Sequence, residues 1–289
     1  MNQQLLYEIA HHRILIDTPN AEVTQKLIPS FEPFRVDNDV KGEPLIHFVG
    51  NSPTPIPNRP ADDVMQADGM SFDVYHTDKS LTVTVAVNDK QHSFNLSADK
   101  KRVTTNLTLQ APYESRFLAY FLRAAYGIAA ASHQTIKLHA SVIEKEGKAL
   151  IFMGKSGTGK STHSQNWLKY VPGCTLLNDD EPILRILKDG TIRVYGAPWS
   201  GSTPCYRNAW AEVAAFVRLY QSPHNKLTRL AGIHAFASLY QSVAILRSDK
   251  KNKDQTITIV DDILKQVPIY RLDNRPDREA VSLTETLLK

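Results

Sequence analysis

An apolar run, "ALIFM" at 149–153, passes straight into the glycine-rich stretch "GKSGTGKST" at 154–162, and nothing else in the chain restricts its fold as much. Gly154, Gly159, Lys160 and Ser161 stand at the defining positions of G-x-x-x-x-G-K-[ST], with Gly157 as a further glycine inside the loop. Such a loop works only where a strand delivers it and a helix leaves it, because backbone N–H groups must converge on phosphate oxygens at the positive end of the helix. The following "STHSQNWLKY" is helical in character and is stopped by Pro172 and Gly173. We therefore expect a nucleotide at Gly154, Lys155, Ser156, Gly157, Thr158, Gly159, Lys160, Ser161 and Thr162. Lys160 is expected to reach the β and γ phosphates. Ser161 is expected to place its hydroxyl on Mg²⁺, or on Mn²⁺ in its place.

Processing a nucleotide also takes carboxylates, to hold the metal or to accept a proton from the nucleophile. "LLNDDE" at 176–181 supplies them, and Asp179 follows Lys160 by nineteen residues, which leaves room for one helix and one strand. If adjacent βα units place those strand ends side by side, Asp179 and Asp180 face the γ phosphate; the competing reading is a solvated acidic turn. Upstream, "TIKLHASVIEKEGKALIFMG" at 135–154 reads as two strands joined by a tight turn. A turn at Lys145 and Glu146 pairs position 139 with about position 152, so His139 lies beside the entrance to the loop. Position alone leaves three roles open for His139: metal ligand, donor to a phosphate or substrate group, and packed core residue. Phosphoryl transfer also calls for a cation over the equatorial oxygens. Arg207, in the loop "GAPWSGSTPCYRN" at 196–208 with Trp199, is the first choice, and Arg218, Arg229 and Arg271 are others.

Around this unit, "LTVTVAV" from Leu81, "HSFNL" and "VTTNLTL" alternate like an antiparallel meander. "AEVTQKLIPSF" suits a short helix, "NSPTPIPNRPADD" a proline-rich loop, and "APYESRFLAYFLRAAYGIAAAS" at 111–132 a helix that carries the chain out of the β region. The domain change is expected near 110. Further on, "PILRILKDGTIRVYG" reads as a hairpin, "TITIVDDILKQV" as a helix, "PIYRL" as a strand, and "RPDREAVSLTETLL" as a last helix with Pro276 in its first turn. The basic run "RSDKKNKD" at 247–254 is expected to be a solvated loop.

Composition excludes several classes. With 42% hydrophobic and 22% charged residues and a net charge of +4, the 289-residue chain is an ordinary globular one, and no nucleic-acid partner is expected. No basic segment followed by a long apolar run opens the chain, and "FLAYFLRAAYGIAAA" is short and carries Arg123, so a cytoplasmic protein without a membrane partner is expected. Cys174 and Cys205 lack the spacing of a metal site. A GTPase would carry D-x-x-G after the loop, but the sole match is "DVKG" at 39–42, before it.

Read together, "LHASVIEKEGKALIFMGKSGTGKST" and "NDDE" resemble the superfamily of HPr kinase/phosphorylase and ATP-dependent phosphoenolpyruvate carboxykinase, firmly over about 135–200 and loosely beyond. The resemblance implies a C-terminal mixed-sheet nucleotide-binding domain over 111–289; with the smaller, mainly antiparallel β region over 1–110, which matches neither family and is expected to serve substrate or partner recognition, the chain is expected to be α/β (α+β). It also implies an ATP-dependent kinase whose catalytic residues are Asp179, His139 and Lys160, with Ser161, Asp179 and Asp180 on Mg²⁺; Arg207 joins the catalytic set as the cation that the chemistry calls for. The acceptor implied is a hydroxyl, whether a serine of a protein or peptide or a small molecule. A carboxykinase reaction on a small carboxylate and a non-catalytic nucleotide-binding regulator are the alternatives, and a homo-oligomer is left open. The chain lacks the arginine-rich signature that HPr kinases carry after the Asp-Asp pair, and also the oxaloacetate-binding segment of carboxykinases.

Overall fold

Alternating and continuous apolar strands call for different surroundings, and the chain uses both. The computed structural model describes residues 2–37, 42–67, 69–87, 90–201, 203–246 and 248–288, which build two mixed sheets with helices. Two compact units result: residues 1–130 with 247–249, and residues 131–246 with 250–289.

In the first unit the strands are β1 (Gln3–Ile9), β2 (His12–Thr18), β3 (Arg35–Val36), β4 (Ile46–Val49), β5 (Asp63–Ala67), β6 (Met70–His76), β7 (Ser80–Val87), β8 (Lys90–Ser97) and β9 (Arg102–Thr105). They form one sheet in the order β3-β1-β2-β4-β9-β8-β7-β6-β5. The expected meander is there, β7 pairing antiparallel with β8 and β8 with β9. The sheet is nevertheless mixed, because β4 runs parallel to both β2 and β9. Its parallel entry is made possible by the long connection from β2, which contains α1 (Ala21–Leu27) capped by Asn20. Helix α2 (Ser115–Ala130) buries Phe117, Leu118, Phe121, Leu122, Ala125 and Tyr126, a stripe at helical spacing. Phe121 packs on Phe94 of β8 with ring centroids 5.0 Å apart, so α2 belongs to the first unit and the boundary falls at 130, not near 110.

The second unit contains β10 (Thr135–Lys137), β11 (Ala140–Lys145), β12 (Lys148–Met153), α3 (Lys160–Tyr170), β13 (Thr175–Asp180), β14 (Ile183–Ile186), β15 (Ile192–Tyr195), β16 (Trp210–Gln221), β17 (Lys226–Leu230), α4 (Gly232–Tyr240), α5 (Lys250–Leu264), β18 (Ile269–Asn274) and α6 (Arg278–Glu285). The sheet order is β10-β14-β15-β16-β12-β11-β13, with β18 on the far half of β16 and β17 beyond it. Both faces are covered, which is why "ALIFM" is apolar throughout. Ala149, Ile151 and Met153 meet Ala235 and Leu239 of α4 and Ile259 and Ile263 of α5. Leu150 and Phe152 meet Trp167 of α3 and Val281 of α6.

Two expectations about helices change. Helix α5 starts at Lys250, so Lys250–Asp254 are helical and not a loop; burial of Asn252 and Thr256 draws the first turn onto the fold despite its like charges. In α6, Asp277 is the N-cap and accepts from the Ala280 N–H at 3.1 Å, which leaves Pro276 before the helix.

Candidate functional site

The glycine loop spans the end of β12 and the start of α3. A Cβ on Gly154 would stand 2.3 Å from Thr158 Oγ1, so only glycine lets the loop close on itself there. Gly157 (φ 79°) and Gly159 (φ 94°) take the left-handed conformation. Gly159 is also the N-cap of α3 and offers no side chain, so the first-turn N–H groups are left for an anion. Lys160 Nζ lies 3.1 Å from the Gly154 carbonyl and 3.0 Å from His139 Nε2. Burial lowers the Lys160 pKa, while the Asp180 and Asp179 charges pull it back up.

Three strand ends meet at this loop, although not in the order the spacing predicts. β11 is antiparallel to both β12 and β13, so it stands between the loop and the acidic strand. The hairpin turns at Glu146 and Gly147, both at positive φ, one residue later than expected. Ala140 therefore pairs with Met153, and continuing that register sets His139 level with Gly154 instead of residue 152. The start of β11 and the ends of β12 and β13 bring His139, Lys160 and the Asp-Asp pair together.

Within that group, the Ser161 hydroxyl donates to Asp179 Oδ1 at 3.2 Å. His139 Nδ1 lies 3.0 Å from Asp180 Oδ1. An ammonium has no lone pair, so Nε2 of His139 accepts from Lys160, the Nδ1 proton goes to Asp180, and the tautomer is thereby set. His139 is half-exposed, which excludes a packed core role. Asp179 is buried at 4% exposure. Asp180 has φ 139°, a strained value for a residue with a side chain, and is kept there by a bridge to Ser200.

Arg207 does not reach the site. It donates to Thr175 Oγ1 and to the Leu176 carbonyl, both at 2.8 Å, at the start of β13. The carboxylates are at the other end, about 10 Å of strand away. There it caps an edge strand whose carbonyls need donors. Arg271 pairs with Asp273 and stacks on Tyr220, and Arg229 lies on β17. Arg218 is the arginine that the fold buries next to the loop strand, opposite Met153.

Several residues of the site carry no motif. Lys137 and Glu181 form a buried pair at 2.9 Å, with Lys137 also over the Trp199 ring. Gly201 N–H and the Ser200 hydroxyl donate to the Asp179 carbonyl at 2.7 and 3.1 Å, so residues 200 and 201 lie along the acidic end of β13. Buried Asn178 donates to the Trp199 carbonyl at 3.0 Å and anchors the same stretch. Gln221 Nε2 reaches the Gly157 carbonyl at 3.2 Å. The signal available in the sequence was the run of small residues in "GAPWSGS", which allows close backbone approach. At Gly196 a Cβ would lie 2.0 Å from the Arg207 carbonyl oxygen. Gly196→Ala should cost about 1–3 kcal/mol, read as a lower urea midpoint than wild type; an unchanged midpoint would mean that the backbone here yields to a methyl group without cost.

One helix residue responds to pH. His163, in the first turn of α3, is buried against Phe152, and burial pushes its imidazole down to about 4. Between about pH 6.5 and 4 the unfolded chain takes up a proton that the folded chain refuses, so stability falls as pH drops through that window. From pH 7 to pH 5 the loss should be about 2 kcal/mol. Urea unfolding at both pH values checks this, since His163→Gln should lose that much less than wild type over the same interval.

The donors around Ser161 are hard oxygens, two carboxylates and a hydroxyl, which is the donor set that Mg²⁺ accepts when phosphates complete its shell. Among the described residues there is no group of three or more His, Cys, Asp or Glu side chains that would hold a metal unaided. No helix among them is long and apolar enough to cross a membrane.

No family model matches the chain, and no curated protein matches it. Among solved structures, the chain is similar to the HPr(Ser) kinase/phosphatase from Coxiella burnetii at 14% identity, over 53% of this chain and 87% of that one, with a TM-score of 0.32.

Proposed function

We propose that the second unit binds ATP with Mg²⁺ at residues 154–162 and transfers the γ phosphoryl group to a hydroxyl acceptor, in the manner of HPr kinases. The observation that carries this reading is the meeting of Ser161 with Asp179 at 3.2 Å, beside Lys160 and the His139–Asp180 pair. A loop that only bound a nucleotide would not need two carboxylates at its γ end.

Lys160 holds the β and γ phosphates as a buried point charge, which acts more strongly there than in water. Ser161, Asp179 and Asp180 are the residues that would hold Mg²⁺, and the metal, when bound, neutralises phosphate charge. Asp179 accepts the proton of the attacking hydroxyl. His139, turned by Asp180, keeps Lys160 in the site. The acceptor is a serine of a protein or peptide, or the hydroxyl of a small molecule, and the cytoplasm supplies ATP.

The test is incubation of the protein with γ-labelled ATP, Mg²⁺ and a cell extract, with Asp179→Asn as the control. Labelled acceptors with wild type alone support the kinase. Equal labelling by both proteins refutes it, CO₂ release from oxaloacetate would favour a carboxykinase, and ATP binding without any transfer would favour a regulator.

A further inference from the structure

Strand β16 buries a charge in its middle. Arg218 is 5% exposed and pairs with Met153, the last residue before the glycine loop. Among the described residues none of its partners is a carboxylate. Its Nε donates to Ser238 Oγ at 2.8 Å, and its Nη2 donates to Ser242 Oγ at 2.8 Å and to the Ser238 carbonyl. Burial lowers its pKa from the ordinary arginine value. Taking a guanidinium out of water with only neutral oxygens around it carries a large desolvation cost. Closing the end of α4 does not require a charge, since a neutral amide could reach the same carbonyl.

Ser242 connects this cation to the site. Its hydroxyl takes the guanidinium, while its carbonyl accepts the His139 N–H at 2.7 Å. Next to it, Val243 bridges Leu138, and the Ala244 N–H donates to the Lys137 carbonyl at 2.9 Å. Residues 137–139 thus lie along 242–244 as a short ladder, and the planar fork of Arg218 fixes the end of that ladder next to His139. The Arg218 charge is also close enough to Lys160 to favour its losing a proton.

We infer that Arg218 is a positioning residue: acting through Ser242, it sets where His139 stands against Lys160 and Asp180. The kinetic consequence rests on the phosphotransfer reading, but the structural one does not. Amide hydrogen exchange on the full chain separates them. Arg218→Gln, Arg218→Lys and the milder Ser242→Ala should each speed exchange of the His139 amide at least tenfold and leave the Phe152 amide unchanged. An unchanged His139 amide in folded Ser242→Ala overturns the inference. In the labelled-transfer assay, Arg218→Gln should lower kcat at least tenfold with the KM for ATP within twofold, and should have little further effect on a His139→Ala background. Additive losses would mean that the two residues act independently, which also overturns it. If wild type transfers no phosphate, the phosphotransfer reading fails, and the exchange result alone decides the role of Arg218.

Discussion

Asp179→Asn should lower phosphoryl transfer by roughly 10²–10⁴-fold while the chain stays folded and still binds ADP. Asparagine has nearly the same shape and can still accept from the Ser161 hydroxyl, the contact that Asp179 makes at 3.2 Å. The amide cannot take a proton from the acceptor and is a weaker ligand for Mg²⁺ than a carboxylate, so kcat should fall most and the affinity for ADP with Mg²⁺ by a smaller factor. Asp179 is buried, and its carbonyl is tied to Gly201 and Ser200, so the substitution has little freedom to shift those two residues. Single-turnover transfer from labelled ATP, with ADP titrated by calorimetry, tests both halves. Transfer within fivefold of wild type would sink the assignment of Asp179 as the proton acceptor.

Lys160→Met should reduce kcat/KM for ATP by about 10²–10³-fold, through loss of a preorganised charge at the transferred phosphate. Methionine fills similar space, so the loop should keep its shape. The charge is costly to the fold: burial depresses the Lys160 pKa, and the Asp180 and Asp179 charges oppose that. The variant should therefore be no less stable than wild type by urea unfolding, even as it loses activity. A drop in both activity and stability would point to a lysine that holds the fold and not the phosphate. His139 offers a cross-check, since without Lys160 its Nε2 loses a donor at 3.0 Å. His139→Ala and Lys160→Met should then show coupled effects.

Much of the site is legible in the chain because the residues that build the loop are neighbours. Gly154 to Thr162 follow an apolar strand and open a helix, and each of those signals is local. Asp179 and Asp180 also lie at the end of a strand that the sequence marks as apolar and then acidic. Arg207 is different. Its loop reads as the source of the cation over the phosphates, whereas its guanidinium donates to the Leu176 carbonyl and the Thr175 hydroxyl at the opposite end of β13. Arg218 sits in "AAFVRLYQ", where an arginine in an apolar strand gives no sign of whether it faces water or a helix end. The helix at 115–130 misled in the same way: its stripe is plain, but a stripe does not say which sheet it covers.

By itself the sequence determined where a phosphate could be bound, because glycine conformation, a strand before and a helix after are properties of consecutive residues. It also determined that carboxylates and a histidine lie within one supersecondary unit of that loop. Only the tertiary structure decided that β11 stands between the loop and the acidic strand, which sets His139 level with Gly154 and turns its imidazole between Lys160 and Asp180. It alone decided that Arg218 and Ser242, not Arg207, lie behind the site. Strand order and the burial of a charge depend on which faces pack together across the whole sheet, and residues far apart in the chain settle that jointly.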